Sequence, residues 1–400
     1  MFKTVDEAIE WIQNRRNTGH SFSNFKILME KLGNPQNSFY TIHVAGTNGK
    51  GSTVAYLRDL LMAHGYRVGT LQSPHYITHL DRIRVNNVNI DASFFLNEIN
   101  NNYDFYIDNN MSMFEIDYLI MCNYFIKEKI DFAIVEVGIG GRLDATNVVN
   151  NTKLSIITTI GFDHMELLGD TLPLICKEKC GIIKNNSKVL IGNLPNDCVD
   201  VVKDVSTNCN SELYELKKYK DLGSRKFEFD DQTYEIMSYA KYHLHNACLA
   251  LEALQIISKD YGFVVDYEKA KNAVANTIWQ NRFEIVKDKP RVILDGAHNI
   301  HGIEAVCDSF DRFEGSKCIV FSALKRKEYL KMAELLKQHC DNLLITKFDN
   351  YGVIDFNEFV DYKTYDNYSD AIDYAINNYD NILICGSLYF LSDVVLNYRF

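Results

Sequence analysis

Lys50 closes a glycine-bearing turn, Gly46-Thr-Asn-Gly49, that follows the apolar run Thr41–Ala45 and leads into Gly51–Val54. Those residue types in that order suit an anion. Glycines let backbone N–H groups approach it without a Cβ in the way, and a lysine adds a point charge. A helix opening at this point turns the positive end of its dipole toward the same place. The strict P-loop pattern asks for a glycine six positions before the lysine and Ser or Thr directly after it. Val44 and Gly51 occupy those places here. On the residues alone, the segment reads equally well as a nucleotide cradle or as a plain turn.

A second chemical signal is Glu136, in Ile134-Val-Glu136-Val-Gly-Ile-Gly-Gly-Arg-Leu-Asp144-Ala-Thr-Asn147. A carboxylate at the end of an apolar strand faces the ligand crevice of an open parallel sheet, where it suits Mg2+ beside phosphates. A turn-capping acid is the plainer alternative. Another apolar run, Ser155–Ile160, ends in Gly161-Phe-Asp163-His164, and Lys177-Glu-Lys179-Cys-Gly-Ile-Ile183 follows. Taken singly, His164 reads as a hydrogen-bonded structural histidine and Lys179 as a solvated helix lysine. Cys176 and Cys180, one helical turn apart without nearby Cys or His, read as small core-facing residues.

The elements that must hold these residues alternate. Helical periodicity covers Val5–Arg15 and Phe22–Lys31, then strand Tyr40–Ala45, helix Thr53–His64, strand Arg67–Leu71, helix Phe114–Lys127, strand Phe132–Val137, strand Leu154–Ile160 and helix Leu172–Cys180. Such alternation with apolar strands predicts a parallel sheet covered on both faces. Between Ser187 and Met237 short β-rich pieces, 226–229 and 233–236, predict a small antiparallel elaboration. Helix Tyr242–Ile257 resumes the main pattern. A composition shift over Val286–Pro290 marks a candidate hinge, after which four strands (292–294, 318–321, 343–346 and 382–384) alternate with helices. The expectation is an α/β P-loop ATPase domain over 1–288 and a smaller Rossmann-like α/β domain over 289–400.

Composition limits what this scaffold serves. The chain's 400 residues favour two domains. A formal net charge of -11 argues against a broad nucleic-acid or acidic-membrane surface. The ten cysteines are scattered without a CxxC pair, and no signal-like segment opens the chain. Reduced thiols in the cytoplasm are the expectation. No apolar run approaches the ~20 residues that span a bilayer.

Taken together and in order, HVAGTNGKGS, LQSP, EVGIGGRLDATN, DH followed by LLG, EKCGIIK, DGAHN and GSLY resemble the Mur ligase superfamily. The closer resemblance is to its folylpolyglutamate synthase and dihydrofolate synthase branch, and it runs through nearly the whole chain. Gly51-Ser52 after the lysine fits this branch, whereas the peptidoglycan ligases prefer two threonines. Those ligases also carry a UDP-binding domain ahead of the P-loop, for which the stretch before Thr41 is too short.

The resemblance implies that Thr47, Asn48, Gly49 and Lys50 wrap the ATP phosphates, and that Asn246, Arg282 and Asp295 match contacts to the adenosine and phosphate parts of ATP. It implies two Mg2+ ions, one held by Ser73 and Glu136 and the second served by His164. Lys179 matches a lysine that such enzymes carbamylate, and His298 matches a histidine of the second domain, so Lys50, Lys179 and His298 are the expected catalytic set. Ser112, Met113, Phe114 and Glu115, with Leu143, Asp144 and Ala145, match positions that hold dihydropteroate; Phe114 as core and Glu115 as a helix-face acid is the plainer alternative. The implied reaction joins L-glutamate to a folate, and to dihydropteroate, through an acyl phosphate made with ATP, in a monomer. Two departures stand out: Ala240 and His243 replace Gly and Gln of a G-x-x-Q-x-x-N run, and Arg326-Lys327-Glu328 replaces DKD. They keep two rivals open, a Mur-like ligase with another acceptor and a non-catalytic ATP-binding regulatory protein.

Overall fold

The computed structural model describes residues 1–400 apart from Asn17, His20 and Tyr351. The described residues group into two compact units. One comprises Met1–Lys220, Glu228–Tyr234 and Asn246–Thr277; the other comprises Asp221–Phe227, Glu235–His245 and Ile278–Phe400.

The first unit is built on strands β1 (Tyr40–Ala45), β2 (Val68–Leu71), β3 (Ile83–Val85), β4 (Val88–Asn89), β5 (Phe132–Glu136), β6 (Leu154–Ile157), β7 (Lys188–Ile191) and β8 (Glu212–Glu215). Their spatial order is β4-β3-β2-β5-β1-β6-β7-β8. From β2 to β8 every pairing is parallel, and β3 and β4 add an antiparallel edge. Strand β1 is central, with Ile42, Val44 and Ala45 fully buried. Its two neighbours come later in sequence, so chain connections leave it in both directions. In such sheets this is where a crevice opens at the strand C-termini.

Local chemistry explains where the elements depart from expectation. The helix expected from Thr53 starts at Lys50 and runs to Ala63, because Gly49 adopts a left-handed φ of 84° as its N-cap. The strand expected to reach Ile160 stops at Ile157, since Thr158 and Thr159 turn their hydroxyls onto the carbonyl of Asn48 at 2.6 and 3.1 Å. Two further parallel strands, β7 and β8, occupy a region expected to hold only small antiparallel pieces.

Strands β9 (Tyr219–Gly223), β10 (Lys226–Phe229) and β11 (Gln232–Glu235) form a separate small sheet. In the second unit, β12 (Glu284–Asp288), β13 (Arg291–Asp295), β14 (Lys317–Phe321), β15 (Leu343–Thr346), β16 (Lys363–Tyr365) and β17 (Asn381–Cys385) pair in the order β12-β13-β17-β14-β15-β16. All pairings are parallel except the β12–β13 hairpin. Residues 286–290 form the end of β12 and the turn into β13. Apolar clusters cover this sheet, one with Ile293, Phe321 and Leu383 and the other with Val292, Val320 and Ile384. That is the double-sided burial a parallel sheet requires.

Candidate functional site

The turn after β1 is held open by its neighbours. Thr47 exchanges hydrogen bonds with Gly161 at 3.0 Å in both directions, and its N–H donates to the Thr159 carbonyl at 2.8 Å. Asn48 N–H donates to Thr159 Oγ1 at 3.1 Å. A side chain has no room at Gly46, where a Cβ would fall 1.9 Å from Thr158 Oγ1. The helix Lys50–Ala63 begins without a side-chain cap, so its first-turn N–H groups form an anion site of the kind a phosphate occupies. Asn246 lies against the same turn, its Oδ1 only 2.6 Å from where a Cβ on Gly49 would be.

Two lysines converge on one backbone oxygen here. Lys50 Nζ donates to the carbonyls of Gly46 and Thr47 at 3.0 and 3.2 Å, and Lys179 Nζ donates to that of Gly46 at 3.0 Å. Lys179, far from being a solvated helix lysine, is 5% exposed. Burial first, and the Lys50 charge second, push its ammonium down to about 7. A near-neutral amine is the consequence.

Glu136 ends β5 paired with Val44 of β1, and Leu71 of β2 pairs with Val135, so the chain leads to Ser73 from the adjacent strand end. Glu136 is buried. Beyond β6, His164 holds a left-handed φ of 50° with its N–H on Asp163 Oδ1 at 2.9 Å, while its ring lies 3.7 Å from Glu166. Non-glycine residues rarely adopt that backbone without a local reason. Among the described residues, no three His, Cys, Asp or Glu side chains converge as a metal cluster. This donor set fits Mg2+, which keeps waters and shares one or two carboxylates with substrate phosphates.

The positions expected to hold the acceptor fall on a helix N-terminus and the loop beside it. Ser112 and Glu115 form a capping box on helix Met113–Glu128, with Ser112 N–H to Glu115 Oε2 at 2.7 Å and Glu115 N–H to Ser112 Oγ at 3.3 Å. Such caps contribute about 1 kcal/mol. Met113 packs on the core. Phe114 and Asp144 meet over a glycine: a Cβ on Gly138 would lie 3.0 Å from both the Phe114 ring and Asp144 Oδ2. Asp144 is buried, which raises its carboxyl, and it accepts from Ile139 N–H and Thr146 N–H at 3.0 Å each. Leu143 is exposed and Ala145 half-buried.

This loop is pressed onto the end of helix Leu172–Cys180. Arg142 N–H donates to the Glu178 carbonyl at 2.8 Å, and Asn147 Nδ2 to that of Gly181 at 2.9 Å. A Cβ on Gly141 would sit 2.9 Å from the carbonyl oxygens of Glu178 and Lys179, and one on Gly181 would sit 2.4 Å from Arg142 Cα.

In the second unit, Asp295 ends β13 and accepts from Phe283 N–H at 3.0 Å, from Ala297 N–H at 2.8 Å and from the Tyr242 hydroxyl. Burial raises its carboxyl against the opposing Arg282 charge. Arg282 lies between two left-handed residues, Asn281 and Phe283, and its carbonyl accepts from His243 Nε2 at 3.0 Å. His298 is oriented by Nδ1 donating to the Gly296 carbonyl at 2.8 Å.

Residues 44–254 match the Mur ligase middle domain and residues 281–388 the Mur ligase glutamate ligase domain. The chain belongs to the Mur ligase family. Within it, the dihydrofolate synthase/folylpolyglutamate synthase of Bacillus subtilis (strain 168) is 32% identical, covering 98% of this chain and 99% of its own. That likeness places the chain in the same branch. A Mycobacterium tuberculosis folylpolyglutamate synthase solved with ADP and AMPPCP matches with a TM-score of 0.87 at 25% identity, covering 99% of this chain and 98% of that one. An FPGS–AMPPCP–folate complex matches with a TM-score of 0.84 at 27% identity, covering 98% of each chain.

Against this branch of the Mur ligases, the departures acquire local explanations. Burial pushes His243 down to about 4, so it is a neutral donor to Arg282, a role the amide of Gln also fits. Glu328 pairs with Lys331 at 2.6 Å on the surface. Sequence reasoning passed over Thr158 and Thr159, although two polar residues ending an apolar strand were a usable sign. It also passed over Gly19, whose missing Cβ would lie 2.7 Å from Ser112 Cβ and 2.8 Å from Glu115 Oε2, and the pair His43 and Thr146.

Proposed function

We propose that this chain is an ATP-dependent carbon–nitrogen ligase that joins the amine of L-glutamate to the carboxyl of a folate, and also to that of dihydropteroate. The observation that carries the reading is the convergence of Lys50 and the buried, near-neutral Lys179 on the open phosphate turn after β1. One lysine alone would serve binding; the second points to chemistry at the transferred phosphoryl group.

Amide formation needs an activated carboxyl. Attack of the acceptor carboxylate on the γ-phosphorus of ATP gives an acyl phosphate and ADP, and attack by the glutamate amine then expels phosphate. Lys50, with the N–H groups of the turn from Thr47 to Gly49, offsets charge on the transferring group. Ser73, Glu136 and His164 would hold Mg2+, which when bound supplies Lewis-acid stabilisation of the phosphoryl oxygens. Lys179 as a free amine can add CO2, forming an N–C bond and releasing one proton, and so become an anion beside cationic partners. Asn246, and in the second unit Arg282 and Asp295, are assigned to ATP, with His298 assigned to catalysis.

The acceptor is assigned to Ser112–Glu115 and Leu143–Ala145. Phe114 offers a wall for a flat ring, and Asp144 an acceptor for its N–H edge. Of these, Ser112 and Glu115 act through the cap they form. Ten cysteines outside any disulfide support a reducing, cytoplasmic setting, and we read the protein as a monomer.

The deciding assay measures phosphate release with ATP, Mg2+ and glutamate, offering dihydropteroate, tetrahydrofolate or a muramyl precursor. Release that requires a pterin and glutamate together is expected. Release with the muramyl precursor alone, or ATP binding without turnover on any acceptor, would overturn the reading.

A further inference from the structure

Strand β1 carries a residue that packing does not call for. His43 lies between Ile42 and Val44, fully buried in the centre of the sheet, and its Nδ1 has no hydrogen-bond partner among the described residues. An apolar residue at that place would fill the core without leaving a polar atom stranded. What His43 does have is one strong contact: Nε2 lies 2.8 Å from Thr146 Oγ1, although the two residues are 103 apart in sequence. Thr146, itself fully buried, places the same oxygen 2.5 Å from Asp144 Oδ1.

The proton count fixes the direction of this chain. A hydroxyl has one proton, and a carboxylate can only accept it. Thr146 Oγ1 therefore donates to Asp144 and accepts from His43, which must carry its proton on Nε2. The Thr146 and Ile139 N–H groups also donate to Asp144, and the Gly138 N–H acts on it as well, so several donors together fix the orientation of the carboxylate. Its Oδ2 lies where Phe114 and Asp144 meet over Gly138.

We infer that His43 and Thr146 are positioning residues for acceptor recognition, forming a buried His43–Thr146–Asp144 chain that orients the Asp144 carboxylate toward an N–H donor on a flat heterocycle. This rests on the reading that Asp144 contacts the acceptor. The chain also ties that carboxylate to the strand whose end carries the phosphate turn, so acceptor and nucleotide positions share one rigid support.

The test compares Thr146→Val, which keeps the shape and removes the hydroxyl, with Thr146→Ser, which restores it. Steady-state kinetics with dihydropteroate and an ATP-binding titration are read side by side, with thermal melts to establish folding. Thr146→Val should raise KM for dihydropteroate about tenfold or more, with ATP affinity within about twofold of the parent. Thr146→Ser should bring KM back to within about threefold. Asp144→Asn separates the two levels of the argument. If Asp144→Asn leaves KM unchanged, the acceptor reading of Asp144 fails. If it raises KM while Thr146→Val does not, only the positioning chain fails. Equal losses of ATP and acceptor binding in Thr146→Val, or no rescue by serine, would mean a general structural role and overturn the inference. Should Thr146→Val not fold, His43→Leu, which removes the Nε2 donor, carries the same expectation, with His43→Gln restoring KM through its amide donor, and an unaltered KM in His43→Leu overturns it equally.

Discussion

Replacing Lys179 by methionine tests the physical state of the buried amine directly. The side chain is almost fully buried beside Lys50, and its pKa falls from 10.5 to about 7. That difference corresponds to roughly 5 kcal/mol between the charged and neutral forms. Between pH 7 and 10.5 the unfolded chain holds this proton and the native protein does not, so stability contributed by this group rises with pH. At pH 7 the native protein therefore carries a penalty of roughly 4 kcal/mol that shrinks by about 2 kcal/mol on going to pH 9. Methionine fills similar space without the charge, so Lys179→Met should be the more stable protein at pH 7, by an amount that narrows toward pH 9. Urea unfolding of parent and variant in bicarbonate-free buffer, followed through a probe in the first unit, measures the gap. Subtracting one protein from the other removes every group they share. A gap that is constant or widens with pH would refute the buried neutral amine. The same variant should be severely impaired in ligation, the trade between stability and function expected of a strained site.

Lys50→Ala should abolish ligation while leaving the melting temperature near that of the parent, because it removes charge from the phosphate turn; a barrier increase of about 3 kcal/mol or more is expected, and near-normal turnover would rule the turn out. Glu136→Ala and Ser73→Ala should each shift the Mg2+ titration of activity to higher concentration, and unchanged curves in both would remove them from the metal site. Phe114→Ala should impair dihydropteroate use while ATP binding survives, as loss of an aromatic wall predicts; enzyme that extends tetrahydrofolate but forms no dihydrofolate at saturating dihydropteroate would leave only polyglutamylation.

The sheet framework was legible because its strands are buried on both faces and read as continuous apolar runs: β1, β5 and β13 stand where expected. The antiparallel edge was harder to see. Strands β3 and β4 are short, and their turn depends on Asn86 and Asn87, both at positive φ. Paired asparagines between valines were a hairpin sign of modest strength. Helix starts depend on backbone conformation that composition does not carry, which is why Gly49 moved one start by three residues. In the site, residues on one short motif could be placed from sequence. Contacts between motifs could not, since nothing in the order of residues says that His43 touches Thr146 or that Lys179 reaches the Gly46 carbonyl.

Gly141 and Gly181, on the two sides of the contact between the 138–147 loop and the end of helix Leu172–Cys180, have an evolutionary consequence. A Cβ on Gly141 would strike the Glu178 and Lys179 carbonyls, and one on Gly181 the backbone of Arg142, so the 138–147 loop and the end of the Lys179 helix form one joint with no slack. Backbone changes that reshape the loop for a different acceptor would drag the Lys179 amine off the phosphate turn. Substrate range in this lineage is therefore expected to drift through outward side chains such as Leu143, exchanged one at a time on an unmoving backbone. Inhibitor resistance would follow the same route: substitutions at the rim are tolerated, and insertions in the 138–147 loop are not.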